Sequence, residues 1–263
     1  MSPDDLSPPV DAEHHAALAR AAHLIDVAQR IVVLTGAGIS TDSGIPDFRG
    51  PNGLWTRDPE AEKASDISFY VTDAGVRARN WARRADGSLW AGREPNAGHR
   101  ALVRLEEREK LLLLVTQNVD ELHQEAGTSP GRVVEIHGTT RKAKCLSCDW
   151  RDDIEVVLER VRAGEADPHC VDCGGLLKSA TVSFGEALVP EDLDRAQFAA
   201  EQCDLLLAIG TTLQVYPIAG VVPIAVRRGA TLIIVNADAT PFDSVADVVL
   251  HAGISETLPR IVG

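Results

Sequence analysis

The stretch 31–50, IVVLTGAGISTDSGIPDFRG, limits what this chain can fold into more than any other. Its apolar run Ile31-Val32-Val33-Leu34 reads as a strand buried on both faces. After Thr35 the run breaks into Gly36-Ala37-Gly38. Glycine there permits a tight turn and lets a pyrophosphate approach the backbone amides. A helix start following the turn aims free N–H groups at phosphate. The dinucleotide fingerprint asks for a third glycine at 41, where this chain has Thr41. Gly-x-Gly alone also describes an ordinary strand-to-helix turn. The tail Ser43-Gly44-Ile45-Pro46-Asp47-Phe48-Arg49-Gly50 adds a carboxylate, an aromatic ring and a guanidinium beside it.

Further apolar runs follow at Leu111–Val115, Val133–Ile136, Leu205–Ile209, Thr231–Val235 and Val248–Leu250. Helical spacing lies between them. A helix over 12–29 precedes the first strand, and another runs from the Asn96 N-cap to about Lys110. One from Ile218 to Arg228 is kinked or delayed by Pro223, and Ser255–Val262 closes the chain. Strands alternating with helices predict a doubly wound, parallel, Rossmann-type α/β sheet. Residues 51–95 are too long for a loop and read as a helical insertion, with a basic helix at 74–84. Arg83 and Arg84 read there as a solvated face, and Trp55 and Trp90 as isolated apolars. Residues 1–15 read as a loose, acidic, Pro-rich tail.

In an open parallel sheet, ligands bind beyond the carboxyl ends of the strands. Here those ends carry Gly36-Ala37-Gly38, Gln117-Asn118-Val119-Asp120, His137-Gly138, Gly210-Thr211-Thr212 and Asn236-Ala237-Asp238. Small, amide, acidic and imidazole groups converge on one rim. Taken singly, His137 could be satisfied by a backbone carbonyl, and Asp120 could cap the following helix. His123 reads as structural.

From Thr139 to about Gly185 the pattern changes to an inserted module with one helical stretch at 152–163. Cys145-x-x-Cys148 and Cys170-x-x-Cys173 lie 21 residues apart. Two such pairs build a closed, tetrahedral, structural zinc site; two disulfides or free buried thiols are the alternative. His169 sits beside Cys170 but does not fit the paired spacing. Cys203 reads as a small core residue. The net charge of −13 argues against nucleic-acid binding. No apolar run has the length of a membrane span, the N-terminus is unlike a signal peptide, and the cysteine usage suits a reducing compartment, so a cytoplasmic protein is expected.

These residues resemble the sirtuin family of NAD-dependent protein deacylases over roughly 20–260. The resemblance rests on GAGISTDSGIPDFRG at 36–50, TQNVDELHQEAG at 116–127, HG at 137–138, the paired cysteines, FGE at 184–186 and GTTLQVYP at 210–217. It implies a Rossmann-type NAD domain (16–50, 96–138 and 186–263), a small zinc-ribbon domain (139–185), and an acetylated protein lysine bound between them. The implied reaction cleaves nicotinamide from NAD and moves the acetyl group of acetyl-lysine onto ADP-ribose. A protein ADP-ribosyltransferase, or a deacylase for longer chains, using the same pocket is the alternative, and a non-catalytic NAD-sensing module is a third.

The resemblance also assigns roles. Gly36, Ala37 and Gly38 face the pyrophosphate, with Arg49 near the phosphates. Gln117 and Asn118 bind the nicotinamide-side ribose, Asp120 the carboxamide, and Phe48 shields the reactive sugar carbon. His137 is the general base, with Asn118 and Asp120 completing the catalytic set. Gly210, Thr211, Thr212 and Asn236 hold the adenosine half. Ser40, Asp47, Val119, Ala237, Asp238 and Ile254 complete the NAD-binding set. Val182, Phe184, Gly185 and Glu186 form the edge that meets the substrate peptide. Ser179-Ala180 and Thr181-Val182 replace the family's Pro-Asp and Val-Val, which bears on peptide binding. The Tyr-x-x-Arg of acidic-acyl specialists is here Trp81-x-x-Arg84 or Asn80-x-x-Arg83, so plain acetyl-lysine is expected before succinyl or malonyl.

Overall fold

Apolar runs without an exposed face fold as the centre of one sheet: every residue of Ile31–Thr35 and Leu205–Ile209 is buried. The computed structural model describes residues 10–48, 50, 53–58, 62–87 and 92–263; Arg49, Trp90 and most of the N-terminal tail lie outside the described residues. In chain order the strands are β1 (Ile31–Thr35), β2 (Leu111–Thr116), β3 (Val133–Glu135), β4 (Gly138–Cys145), β5 (Arg151–Asp153), β6 (Leu177–Thr181), β7 (Leu205–Ile209), β8 (Thr231–Val235) and β9 (Val248–Leu250). The described helices are α1 (Val10–Val27), α2 (Leu54–Arg57), α3 (Ile67–Thr72), α4 (Ala74–Ala85), α5 (Ala97–Glu107), α6 (Leu122–Ala126), α7 (Ile154–Arg162), α8 (Pro190–Gln202), α9 (Val221–Arg227) and α10 (Ile254–Val262). None is long and apolar enough to cross a membrane.

Six strands form a parallel sheet in the order β3-β2-β1-β7-β8-β9. The chain winds outward from β1 through β2 to β3, then returns to the other side of β1. That reversal opens a crevice beside the carboxyl end of β1. Thr35 pairs with both Thr116 and Ile209, so the ends of β1, β2 and β7 stand level.

Alternate strand residues face opposite layers. Ile31, Val33, Leu205 and Leu207 pack with Leu18 and Ile25 of α1, Leu102 and Leu105 of α5, and Leu258 of α10. Val32, Leu34, Leu206 and Ala208 pack with Ala196, Ala199 and Ala200 of α8 and Val222 and Ala225 of α9. The doubly wound expectation holds. The helix α8 is additional to it. Its signals are Pro190 in the first turn, Glu191 and Asp192 beside it, and alanines at helical spacing. Pro223 delays the expected helix: a 3₁₀ turn, Ile218–Gly220, precedes α9, and Pro223 sits in that helix's first turn.

The cysteine-bearing strands make a separate antiparallel sheet, β5-β4-β6. Its core includes Ala143, Val157, Leu158 and Leu177, and Trp81 of α4 is almost wholly buried among them. The basic helix therefore belongs to this small unit's packing. A bidentate pair between Arg77 and Asp167, 2.8 Å at its shortest, fastens it further.

Candidate active site

Gly36 and Gly38 close the crevice in a way the sequence did not suggest. A Cβ on Gly36 would lie 2.6 Å from the Gly210 carbonyl oxygen, and one on Gly38 would lie 2.7 Å from Gly210 Cα. The Gly36 amide donates to Ile209 O and the Gly38 amide to Gly210 O. Both glycines therefore lock the β1 loop against the β7 loop, and their N–H groups are spent there. Gly210 has φ of +59°, the left-handed region that favours glycine. The segment after the turn is a seven-residue 3₁₀ helix, Ala37–Ser43, in place of a long helix.

The level strand ends bring four polar side chains together. Asn118 Nδ2 donates to Gly36 O and to Ser40 Oγ, both at 3.1 Å. Ser40 Oγ donates to Asp120 Oδ2 at 2.7 Å. Gln117 Nε2 donates to Thr211 Oγ1 at 2.9 Å and so spans β2 to β7. Asn118, Asp120 and Ser40 are buried. Burial raises the Asp120 pKa, against the pull of the Ser40 hydroxyl and the Leu122 amide. Asp120 Oδ1 accepts from Leu122 N, so the carboxylate both faces the crevice and braces the start of α6.

His137 stands at the end of β3. Its Nδ1 lies 3.0 Å from the Gln117 carbonyl oxygen. A carbonyl only accepts, so Nδ1 carries the proton and Nε2 keeps its lone pair. Burial lowers the imidazole pKa, the Gln117 contact partly opposing it. His123 is buried and meets Thr35 Oγ1 at 3.0 Å, in the structural role expected of it. Cys203 is likewise buried in the core.

One cavity of about 1060 Å³ is lined by Ser40, Gln117, Asn118, Asp120, His137 and Thr211. It reaches Gly36 to Gly38, Asp47 and Phe48, Gln117 to Asp120, and His137. It continues past Gly210 to Thr212, Asn236 to Asp238, and Ile254. Val182, Phe184, Gly185 and Glu186 line it too. Every expected site residue outside the zinc cluster thus shares the cavity, save Arg49, which lies outside the described residues. Phe48 is 42% exposed and packs on Trp55 at a ring separation of 5.0 Å; Trp55 in turn packs on Phe184 at 5.3 Å.

The segment expected to meet the peptide is more occupied than the sequence suggests. The N–H groups of Val182, Phe184 and Glu186 donate to His137 O, Ser65 O and Ser183 O. The Glu186 carboxylate pairs with Lys178 of β6 at 2.8 Å and with Lys144 of β4 at 3.0 Å. Glu186 therefore ties this loop to the small sheet. Arg83 and Arg84, read from sequence as a solvated face, also line the cavity.

Cys145 lies at the carboxyl end of β4. The four thiols of Cys145, Cys148, Cys170 and Cys173 lie within 4.8 Å of one another. Cys145 and Cys173 Sγ are 3.5 Å apart, and Cys148 and Cys170 Sγ 3.7 Å. A zinc tetrahedron with Zn–S bonds of about 2.3 Å has sulfurs about 3.8 Å apart, so the set fits that ion. His169 bonds Gly174 O and stands outside the set.

A family profile described as the Sir2 family matches residues 36–217. The NAD-dependent protein deacetylase 2 of Streptomyces coelicolor is 50% identical over 88% of this chain and 96% of its own length. The NAD-dependent protein deacetylase of Rhodopseudomonas palustris is 43% identical over 91% and 94%. A solved structure described as the basis for the mechanism and regulation of Sir2 enzymes superposes with a TM-score of 0.84 at 38% identity, covering 94% of this chain and 97% of that one. A complex named Sir2-p53 peptide-NAD+ superposes at 0.79 with 34% identity, covering 91% and 94%. The chain belongs to the Sir2 family, the sirtuins.

Proposed function

We propose that this protein removes acetyl groups from protein lysines at the expense of NAD, releasing nicotinamide, free lysine and O-acetyl-ADP-ribose. The observation that carries this reading is the pinned imidazole: His137 presents an unprotonated Nε2 to a cavity it shares with the Asp120–Ser40–Asn118 network. The names of the curated relatives and the peptide–NAD complex among the structural neighbours support it.

NAD supplies a sugar carbon that becomes electrophilic when nicotinamide leaves. The chain's residues do the rest. Asp120, held by Ser40, takes the carboxamide and orients the leaving group. Asn118 and Gln117 take the adjoining ribose, and Gly210, Thr211, Thr212 and Asn236 the adenosine half. Phe48 covers the reacting carbon from solvent. His137 Nε2 takes a ribose hydroxyl proton, a role worth ~10²–10⁴ in rate. Val182 and the Phe184-Gly185-Glu186 loop set the acyl-lysine entrance. Cys145, Cys148, Cys170 and Cys173 would hold zinc in a closed set that leaves no open position, a structural and not a catalytic role. The small sheet with its zinc, the helical insertion and the parallel sheet are three parts of this division of labour. The reading places the enzyme in the cytoplasm, without nucleic-acid or membrane partners.

Mass spectrometry after incubation with NAD and an acetyl-lysine peptide tests it. Nicotinamide, free lysine and O-acetyl-ADP-ribose in equal amounts are expected. ADP-ribose attached to protein, with the peptide still acetylated, would replace this reading with a transferase.

A further inference from the structure

Trp55, read from sequence as an isolated apolar residue, stands between two rings that are half open to solvent. It is 8% exposed, while Phe48 and Phe184 on either side of it are 42% and 45% exposed. Its ring centre lies 5.0 Å from that of Phe48, tilted 46°, and 5.3 Å from that of Phe184, at 63°. Both separations and tilts are those of favourable aromatic pairs. All three residues line the cavity that holds His137 and Asp120. Phe48 belongs to the NAD end of that cavity in the reading above, and Phe184 to the edge assigned to the peptide. Trp55 touches both.

Backbone hydrogen bonds hold the three in this order. The Trp55 amide donates to Phe48 O at 3.0 Å and the Leu54 amide to Asp47 O at 2.7 Å, so α2 folds back on the segment that carries Phe48. The Asp47 carboxylate accepts from Gly50 N at 2.8 Å and braces the same segment. On the other side the Phe184 amide donates to Ser65 O at 2.9 Å, and Phe184 O accepts from Ile67 N at 3.0 Å. The helical insertion therefore grips Phe48, just ahead of it in the chain, and Phe184, far beyond it. A half-exposed phenyl ring keeps rotamer freedom that a large, buried neighbour removes. Whatever orders Phe184 lowers the cost of ordering Phe48 through the shared indole, and the reverse holds too.

We propose that Trp55 is a positioning residue that transmits occupation of the peptide edge at Phe184 to the placement of Phe48 over the reacting sugar carbon, so that peptide and NAD strengthen each other's binding and water is kept from that carbon. The proposal rests on the deacetylase reading and deepens it. With Phe48 out of place, water competes with the acyl oxygen. The nicotinamide–ribose bond breaks, a bond from the water oxygen to the sugar carbon forms, and a proton is released. The products are nicotinamide and ADP-ribose, and the peptide keeps its acetyl group. No oxidation or reduction occurs, and Trp55 itself makes and breaks no bond.

Calorimetric titration of an acetyl-lysine peptide, with and without carbocyclic NAD, whose nicotinamide bond does not ionise, tests the coupling. Wild type should bind the peptide roughly 5-fold or more tighter with the analogue present. Trp55→Ala should remove most of that gain, and Trp55→Phe, which keeps a ring between the two, should retain part of it. Product ratios with NAD itself test the exclusion of water. Wild type should release nicotinamide and free lysine in equal amounts. Trp55→Ala should release nicotinamide in roughly 5-fold or greater excess over free lysine. Phe48→Ala should do the same, and the double variant should show no larger excess, because both act through one ring. An unfolded fraction lowers both products together and leaves their ratio unmoved. Independent binding of peptide and carbocyclic NAD to wild type overturns the coupling without any variant, and leaves the deacetylase reading standing. An undiminished gain or an equal product ratio in Trp55→Ala overturns the role of Trp55, as does a multiplied excess in the double variant. Wild type that frees no lysine overturns the deacetylase reading instead.

Discussion

The Ser40 hydroxyl donates to the Asp120 carboxylate across 2.7 Å while accepting from Asn118 at 3.1 Å. One small side chain thus orients both groups assigned to the nicotinamide end of NAD. Ser40→Ala leaves a buried carboxylate short of a donor, a loss of about 1–3 kcal/mol. Steady-state kinetics should show kcat/KM for NAD falling roughly 5- to 150-fold, with the peptide KM little changed. An effect confined to the peptide KM would move Asp120 away from NAD.

Gly210 is where two loops interlock. A Cβ there would sit 2.5 Å from Ile39 N, on a backbone at φ +59°. Gly210→Ala should cost about 1–3 kcal/mol, lowering the melting temperature by roughly 2–4 °C per kcal/mol. It should also weaken protection by NAD. Scanning calorimetry with and without NAD measures both; an unaltered melt would remove the interlock.

Much of this site was legible because a parallel sheet sends its polar strand ends to one rim. Gln117, Asn118, Asp120 and His137 follow buried runs, and the fold brings them to one cavity. What escaped reading depends on contacts between distant segments. Nothing local says that Gly36 and Gly38 press on Gly210, or that Glu186 grips Lys144 and Lys178. Arg83 and Arg84 looked solvated because α4 is rich in arginine; in the fold both line the cavity beside the buried Trp81. The helix α8 was missed because its buried face is alanine, which gives weak periodicity.

The Glu186 pairs tie the loop proposed to meet the peptide to the small sheet that carries the cysteines. Metal removal by a strong chelator should loosen β4 and β6, release Glu186 and abolish peptide turnover, while NAD binding to the parallel sheet remains measurable. Trp81 should become exposed, giving a red-shifted fluorescence component absent from Trp81→Phe. Zinc should restore both. Full turnover after verified metal loss would detach the loop from the small sheet.

Two imidazoles, His99 and His123, lie buried behind the site, tilted 57° to each other with ring centres 4.9 Å apart. Burial lowers the His99 pKa to about 4. Below the ordinary value of about 6.5, an unfolded chain takes up a proton that the folded chain refuses. Stability is therefore fully present above that value and lost as pH falls towards 4, by about 3 kcal/mol for His99 alone. Urea titrations across this window should show the slope, and His99→Gln should flatten it. A slope unaffected by the substitution would assign the acid sensitivity to other groups.

The most direct measurement is turnover of an acetyl-lysine peptide by His137→Ala, paired with calorimetric NAD binding to the same sample. A fall of ~10²–10⁴ in kcat, with NAD still bound, is the expected result. It should accompany a wild-type acid limb whose midpoint lies below the ordinary histidine value, as the lowered pKa requires. Undiminished turnover would contradict the assignment of the base and, with it, the chemistry placed in this cavity.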